Sequence, residues 1–107
     1  IIWCDYTKEW KLIDFSQAIY TKDNYTKINN IVGTKSYLPP EIKNDKVVHL
    51  NSDIWSFGVT SYCILTQQPF IRTTFKKCPF FKTLPINLQE SVINCVKWDP
   101  ETRSLPE

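Results

Sequence analysis

The sequence predicts a mainly α-helical fold with one short β-hairpin. Residues 1–4 and 10–13 are short β-prone runs on either side of the polar stretch 5–9, which is the pattern of two strands joined by a hairpin loop. The apolar-rich segment 53–66 has the length of a helix, and a second helix is predicted from residue 87 onward. Helices therefore account for most of the predicted regular structure.

Between the hairpin and the first helix, residues 14–40 show no sustained periodicity. This stretch is rich in Thr, Lys and Asn and ends in Pro39-Pro40, so we predict a single long loop. Loops of this length inside a domain are usually functional. We therefore look for functional residues here first.

The predicted helix 53–66 carries apolar residues all the way round. Asn51 or Ser52 is placed to cap it, and Asp53 is an acid in the first turn, where the helix dipole favours negative charge. A helix with so little polar face is typical of one surrounded by other elements. The chain has few other strong elements that could cover this helix. We therefore expect some of its packing partners to be missing from these 107 residues.

The second predicted helix begins at Asn87, which together with Glu90 resembles a capping box. Leu88, Val92 and Val96 share one face of this helix. Asp99 precedes Pro100, and a proline disfavours helix at the residue before it, so the helix should end there.

The basic residues are scattered along the sequence. The formal net charge is +2, and the tightest basic group is formed by Lys76, Lys77 and Lys82. Grooves that bind nucleic acid need a clustered basic face, so no nucleic-acid partner is predicted. The longest apolar-rich run, 54–65, is too short to span a bilayer, so no membrane partner is predicted either.

The cysteines predict a reducing compartment. Cys4, Cys63, Cys78 and Cys95 form no C-x-x-C pair, and buried free thiols explain them better than a disulfide set. His49 is the one histidine, which makes a zinc site or a Ser/His/Asp triad a poor interpretation. We therefore expect an intracellular protein, cytoplasmic or nuclear.

Four segments, in order, resemble the protein kinase family. They are KLIDFSQA at 11–18, GTKSYLPPE at 33–41, SDIWSFG at 52–58 and DPETR at 99–103. The interval of 12 residues from Glu41 to Asp53 is also similar to the family's spacing. The resemblance implies that residues 1–107 are a partial protein kinase domain, a piece of the C-terminal lobe running from a strand pair and a D-F-x motif to the lower helices.

The first segment resembles the D-F-G motif that opens the activation segment. Asp14 stands where the family's aspartate holds Mg²⁺ against the phosphates of ATP, so the resemblance implies ATP and Mg²⁺ as cofactors of the complete domain. An aspartate that merely caps a turn is the alternative. Phe15 matches the family's regulatory packing residue, and Ser16 replaces its glycine.

The second segment implies the Ser/Thr class. Gly33 and Thr34, followed by Tyr37, are similar to the G-T-x-x-Y pattern of Ser/Thr kinases, in which the threonine steadies the catalytic loop beside the substrate hydroxyl. The implied partners of the complete domain are ATP and a protein substrate. Asn29-Asn30 stand where many relatives carry an activating threonine, so activation by phosphorylation is not expected.

The last two segments imply structural roles. Glu41 and Arg103 match the two ends of a buried ion pair of the family, and Asp53 resembles the helix residue that hydrogen-bonds the catalytic-loop backbone. A simple helix-dipole acid is the alternative for Asp53. Trp55 and Gly58 complete the same motif.

Catalytic residues are not found in this chain. Phosphoryl transfer needs a Gly-rich loop, a nucleotide-binding lysine and an H-R-D-x-x-x-x-N catalytic loop, and the 107 residues contain none of these. We therefore expect the N-lobe and the catalytic loop to be absent, the loop's Asn to precede Ile1 directly, and the chain alone to be inactive.

Two functions of different class stay open, with an unrelated small binding domain as a third. The first is a piece of an active protein Ser/Thr kinase. The second is a pseudokinase or degenerate kinase segment that acts as a protein-binding module. Ser16, and Pro39 in place of the family's alanine, favour the second.

Overall fold

The computed structural model describes residues 1–106 and contains short strands and helices joined by long connections. The strands are β1 (Ile2–Cys4), β2 (Glu9–Lys11), β3 (Tyr25–Lys27) and β4 (Val47–His49), and the helices are α1 (Pro40–Asp45), α2 (Ser52–Thr66), α3 (Pro79–Lys82) and α4 (Ile86–Cys95). Short 3₁₀ turns lie at Lys35–Tyr37, Phe75–Lys77 and Pro100–Thr102. The predicted hairpin and the two predicted helices are present, and the structure adds a second two-stranded sheet and two short helices.

The predicted hairpin is formed by β1 and β2. The strands are antiparallel, with Trp3 opposite Trp10, and the two indole rings meet edge to face at 5.4 Å. Both rings stay about half exposed or more, at 47% and 68%. The hairpin is therefore held by its own backbone and cross-strand pairs and not by a core.

A second sheet was not predicted. β3 pairs antiparallel with β4, with Thr26 opposite Val48, so the prediction of one structureless loop over 14–40 is wrong. The strands are three residues each and lie twenty residues apart in the chain, which leaves no local periodicity to detect. Their pairing fixes the middle of the long connection against the segment that leads into α2.

The core lies between α2, α4 and the segment that joins them. α2 contributes Trp55, Val59 and Tyr62, and the other buried apolar residues are Phe75, Phe81, Val92, Cys95 and Val96. α2 and α4 approach closely at Gly58, where a Cβ would lie 2.5 Å from the Cβ of Cys95. Glycine is therefore required here to seat one helix on the other.

One expectation about the helices is wrong. α4 begins at Ile86, with Pro85 at the N-cap position and no side-chain cap, so Asn87 lies inside the first turn and the predicted capping box does not form. α2 has an uncovered apolar face, with Phe57 and Ile64 44% and 65% exposed, which agrees with the expectation that these 107 residues lack part of the helix's covering. The other apolar face of α2 carries the core.

The four cysteines have free thiols, as predicted, but only Cys95 is buried. Within residues 1–106, no helix combines the length and the apolar character needed to cross a membrane.

Candidate functional site

Asp14, Phe15 and Asp53 line one cavity of about 530 Å³. One wall is the segment that follows β2, and the other is the exposed side of α2, including Phe57. Two of the predicted site residues thus bring carboxylates to one place, although 39 residues separate them in the chain. The remaining lining is largely apolar and includes Ile1, Leu12, Ile13, Ala18, Ile54 and Leu105.

The backbone of Asp14 has a left-handed conformation, with φ 63°. One carboxylate oxygen, Oδ1, accepts a hydrogen bond from the backbone N–H of Ser16 at 3.2 Å. Hydrogen bonds from the side chain and backbone of Ser16 lower the pKa of Asp14 below its usual value, so the group is ionised at neutral pH. Ser16, the residue that replaces the family's glycine, thereby supports the charged form of the carboxylate.

Asp53 lies in the first turn of α2 with its side chain exposed, and Phe15 is 68% exposed. Within residues 1–106 there is no group of three or more His, Cys, Asp or Glu side chains arranged to hold a metal ion. The cavity therefore offers hard carboxylate oxygens of the kind that Mg²⁺ prefers, but too few of them to enclose the ion.

Gly33 and Thr34 lie outside this cavity, at the start of the turn that leads to α1. Gly33 has φ 108°, a conformation that L side chains rarely adopt, so glycine is required there. The carbonyl of Thr34 accepts a hydrogen bond from the N–H of Tyr37 at 3.0 Å. Ser56 Oγ of α2 donates to the carbonyl of Tyr37 at 2.7 Å, which ties the turn to the helix that carries Asp53.

Glu41 and Arg103 meet in a bidentate ion pair. Arg103 Nη1 lies 2.7 Å from Glu41 Oε1, and Nη2 lies 2.8 Å from Oε2. The Glu41 side chain is 9% exposed and the Arg103 side chain is fully buried. Parallel N–H···O bonds of this kind are the strongest geometry for a guanidinium and a carboxylate.

Further hydrogen bonds fix both ends of the pair. Ser52 Oγ donates to Glu41 Oε1 at 2.8 Å and accepts from the N–H of His49 at 2.8 Å. Arg103 also donates to the carbonyls of Lys97, Asn51 and Trp98. Sequence reasoning treated Ser52 only as a possible helix cap; its place at the start of α2, next to the motif aspartate, was the available signal.

The environment of Glu41 decides its charge. Burial opposes ionisation, but the hydrogen bonds from Arg103 and Ser52 outweigh it, so the pKa of Glu41 lies below its usual value. The buried carboxylate therefore stays charged and paired at neutral pH.

Trp55 and Gly58 belong to the same packed region. Cζ of Arg103 lies 5.2 Å from the centroid of the buried Trp55 ring, within cation–π range. Gly58 sits one turn further along α2 at the contact with α4. The structure thus brings Glu41, Trp55 and Arg103 together, and separates them from the cavity that holds Asp14.

Comparison with known proteins gives one consistent result. The family model described as "Protein kinase domain" matches residues 2–105. Relatives include the probable serine/threonine-protein kinase mkcD of Dictyostelium discoideum, 31% identical over 109 aligned positions that cover 89% of this chain. Death-associated protein kinase 2 of Homo sapiens is 40% identical over 60% of the chain, and serine/threonine-protein kinase 17A of Oryctolagus cuniculus is 33% identical over 76%. The chain spans 17%, 17% and 20%, respectively, of the length of these relatives.

Proposed function

This chain belongs to the protein kinase family, and we propose that it is part of a protein Ser/Thr kinase, an enzyme that transfers a phosphoryl group from ATP to protein hydroxyls. The observation that carries the proposal is the cavity that Asp14 shares with Asp53 and Phe15. An ionised carboxylate at the rim of an apolar cavity suits the binding of a hydrated divalent cation and a nucleotide.

Asp14 is the residue we assign to Mg²⁺. Its lowered pKa keeps it ionised, and its exposed oxygens leave room for a cation with its water ligands. When bound, Mg²⁺ neutralises charge on the transferring phosphates. Mg²⁺ is held by several oxygen ligands. Among the described residues Asp14 can supply one of these ligands, but the side chains around it do not form a complete site.

The other family residues serve to position the substrate and the surrounding loops. We assign the turn at Gly33 and Thr34 to the support of the substrate hydroxyl, with the Ser56–Tyr37 hydrogen bond holding that turn on α2. We assign the Glu41–Arg103 pair to anchoring the end of this segment on the helical core. We assign Asp53, which is exposed at the cavity, to accepting hydrogen bonds from the backbone N–H groups of the catalytic loop in the complete domain.

The 107 residues alone should not phosphorylate a substrate. They contain two glycines and no H-R-D tripeptide, so neither a Gly-rich phosphate loop nor a catalytic-loop aspartate is among them. Calorimetric titration of this chain with Mg-ATP should give no saturable binding tighter than about 1 mM, which corresponds to roughly 4 kcal/mol.

The assignment of Asp14 is tested in the intact protein that carries this chain. Asp14→Asn should lower the rate of phosphoryl transfer from ATP by at least about a hundredfold, because loss of a metal-directed charge removes several kcal/mol of transition-state stabilisation. Asp23→Asn, in an exposed bend of the same connection, is the matched control and should leave the rate unchanged. Equal rates for the two variants would remove Asp14 from the metal site.

The alternative function is a pseudokinase segment that acts as a protein-binding module. The large exposed apolar side chains of the first 38 residues favour it, since they suit contact with another polypeptide. The alternative would be supported if the intact protein, with Asp14 unchanged, binds a partner protein but transfers no phosphoryl group from ATP.

A further inference from the structure

A basic groove shares no lining residue with the cavity of Asp14. We define it by Arg72, Lys76, Lys77, Lys97 and Trp98, which line a cavity of about 540 Å³ together with Thr73, Phe75, Ile93 and Val96. No acidic residue lines it. None of the residues assigned above to the kinase site takes part in it.

The fold gathers these cations from two distant segments. Arg72, Lys76 and Lys77 lie in the connection around the 3₁₀ turn Phe75–Lys77, whereas Lys97 follows the end of α4. The core contacts of Phe75 and Val96 bring the two segments side by side. The sequence therefore shows Lys76 and Lys77 as a local basic group, but it does not show that Lys97 lies beside them.

The cations of the groove form no ion pair with another residue among positions 1–106. Over residues 1–106, no carboxylate oxygen lies within 4.0 Å of the charged nitrogens of Arg72, Lys76, Lys77 or Lys97. All four side chains are exposed. Arg72 is the most fixed of them, because its Cζ lies 4.3 Å from the centroid of the Trp98 ring. A cluster of one sign around a concave surface concentrates oppositely charged ligands.

The floor of the groove is apolar. Phe75 and Val96 are buried, at 6% exposure each, Ile93 is half-buried, and Trp98 is 52% exposed. A ligand that matches this surface carries negative charges at the rim and an apolar group at the centre. A single inorganic anion would leave the apolar floor unused.

From this combination we propose that the basic groove binds an acidic peptide segment of a partner protein, with one apolar side chain of the peptide on Phe75 and Val96 and its carboxylates beside Arg72 and the lysines. The volume fits one or two side chains and not an extended polynucleotide, whose phosphates follow longer basic tracks. One face of the Trp98 ring is already covered by Arg72. The proposal does not depend on phosphoryl transfer.

The test is fluorescence anisotropy with the intact protein that carries this chain and a labelled acidic nonapeptide that carries one central leucine. The peptide should bind saturably, and binding should weaken as salt is raised. The double variant Arg72→Gln/Lys97→Gln should weaken binding at least about tenfold, because it removes half of the cations of the groove. The variant Lys76→Gln/Lys77→Gln should act in the same direction while leaving the Arg72–Trp98 contact intact, so the result does not rest on one variant that might disturb packing.

The matched control is Lys22→Gln/Lys27→Gln, which removes two exposed lysines that do not line the groove and should not change binding. Near-UV circular dichroism verifies that each variant keeps its core. The proposal is overturned if the groove variants bind like the control, or if a peptide with Asn and Gln in place of its acids binds equally. It is also overturned if millimolar phosphate displaces the peptide, or if oligothymidylate binds more tightly than the peptide does.

Discussion

Residues 39–104 and residues 1–38 differ in how they are held. Among the residues that the structure describes, every buried one lies in the first of these regions, where the core joins α2, α3 and α4. In residues 1–38 no side chain is buried, and Trp10, Leu12, Phe15 and Tyr20 are each more than 65% exposed. Composition does not separate the two regions, because both are rich in apolar and aromatic residues.

The difference shows that apolar residues stabilise a segment only where the chain folds back to cover them. Burial of a Phe or Leu side chain contributes roughly 1.5–3 kcal/mol, so the stability of this chain should reside almost entirely in residues 39–104. The hairpin β1–β2 and the following connection should open at little cost in free energy. The predictions below test this division.

The largest effect on the free energy of unfolding is expected when a buried phenylalanine of residues 39–104 is compared with an exposed phenylalanine of residues 1–38. Phe81→Ala should lower the free energy of unfolding by about 3–5 kcal/mol, because Phe81 is 1% exposed and contacts the Tyr62 and Phe75 rings. Phe15→Ala should change it by no more than about 0.5 kcal/mol, because Phe15 is 68% exposed. Denaturant unfolding of dilute 107-residue chain measures both. Similar losses for the two variants would mean that residues 1–38 share the core.

Two of the ion pairs, Glu41–Arg103 and Asp5–Lys8, offer a second comparison, since each has an N···O distance of 2.7 Å. In the intact domain that contains this chain, removing either Glu41 or Arg103 should cost roughly 3–5 kcal/mol of unfolding free energy, because the remaining charge is buried alone. The double Ala variant should cost much less than the sum, and denaturant unfolding measures all three variants.

The exposed Asp5–Lys8 pair of the hairpin is the matched control, and its double-mutant cycle should show little or no coupling. Purely additive losses at Glu41 and Arg103 would show that burial does not govern the strength of this pair.

A third prediction concerns the contact between α2 and α4. Gly58→Ala should destabilise the chain by about 1–3 kcal/mol, because the added methyl would lie 2.5 Å from Cys95 Cβ and 2.8 Å from Val96 Cγ1. Ile64→Ala in the same helix is the control, and its 65% exposure predicts a change within about 0.5 kcal/mol. Thermal unfolding of both variants compares them. A neutral Gly58→Ala would mean that the two helices separate easily.

The smallest effect is a pH dependence from Glu41. Its pKa is lowered in the folded chain, so the unfolded chain binds more protons in the acid range. The contribution of Glu41 to stability should be complete above its ordinary pKa of about 4.3 and should be lost as the pH falls through the lower folded value.

Urea unfolding between neutral and acid pH measures this loss. Asp5→Asn, which removes an exposed acid, should leave the profile unchanged. A chain whose stability is the same at both ends of this range would contradict the assignment of Glu41 as a charged, paired group.

Local sequence predicted the elements that have strong local patterns. The hairpin followed from two β-prone runs around a polar stretch, and α2 followed from fourteen residues of helical composition whose predicted start, Asp53, is one residue late. β3 and β4 could not be predicted, because three-residue strands carry no detectable alternation. The capping box failed because Pro85 starts α4 before Asn87 can act as a cap.

The residues of the candidate site also fall into two groups, those that the sequence identified and those that it did not. Asp14, Glu41, Asp53 and Arg103 were identified through motif resemblance, and no property of the isolated residues would have paired Glu41 with Arg103 across 62 positions. Ser52 as a partner of Glu41 and the basic groove at Arg72 and Lys97 were missed. Both depend on which segments the core brings together, and that information is spread over the whole chain.

The long separation between Glu41 and Arg103 also matters while the protein is being made. A ribosome adds about 5–20 residues per second, so Arg103 is joined to the chain roughly 3–12 s after Glu41, given the 62 positions between them. During that interval the carboxylate has no guanidinium to pair with, and α1 cannot settle against the start of α2 without desolvating a lone charge. The nascent chain should therefore keep this corner open and hydrated until Arg103 has been synthesised.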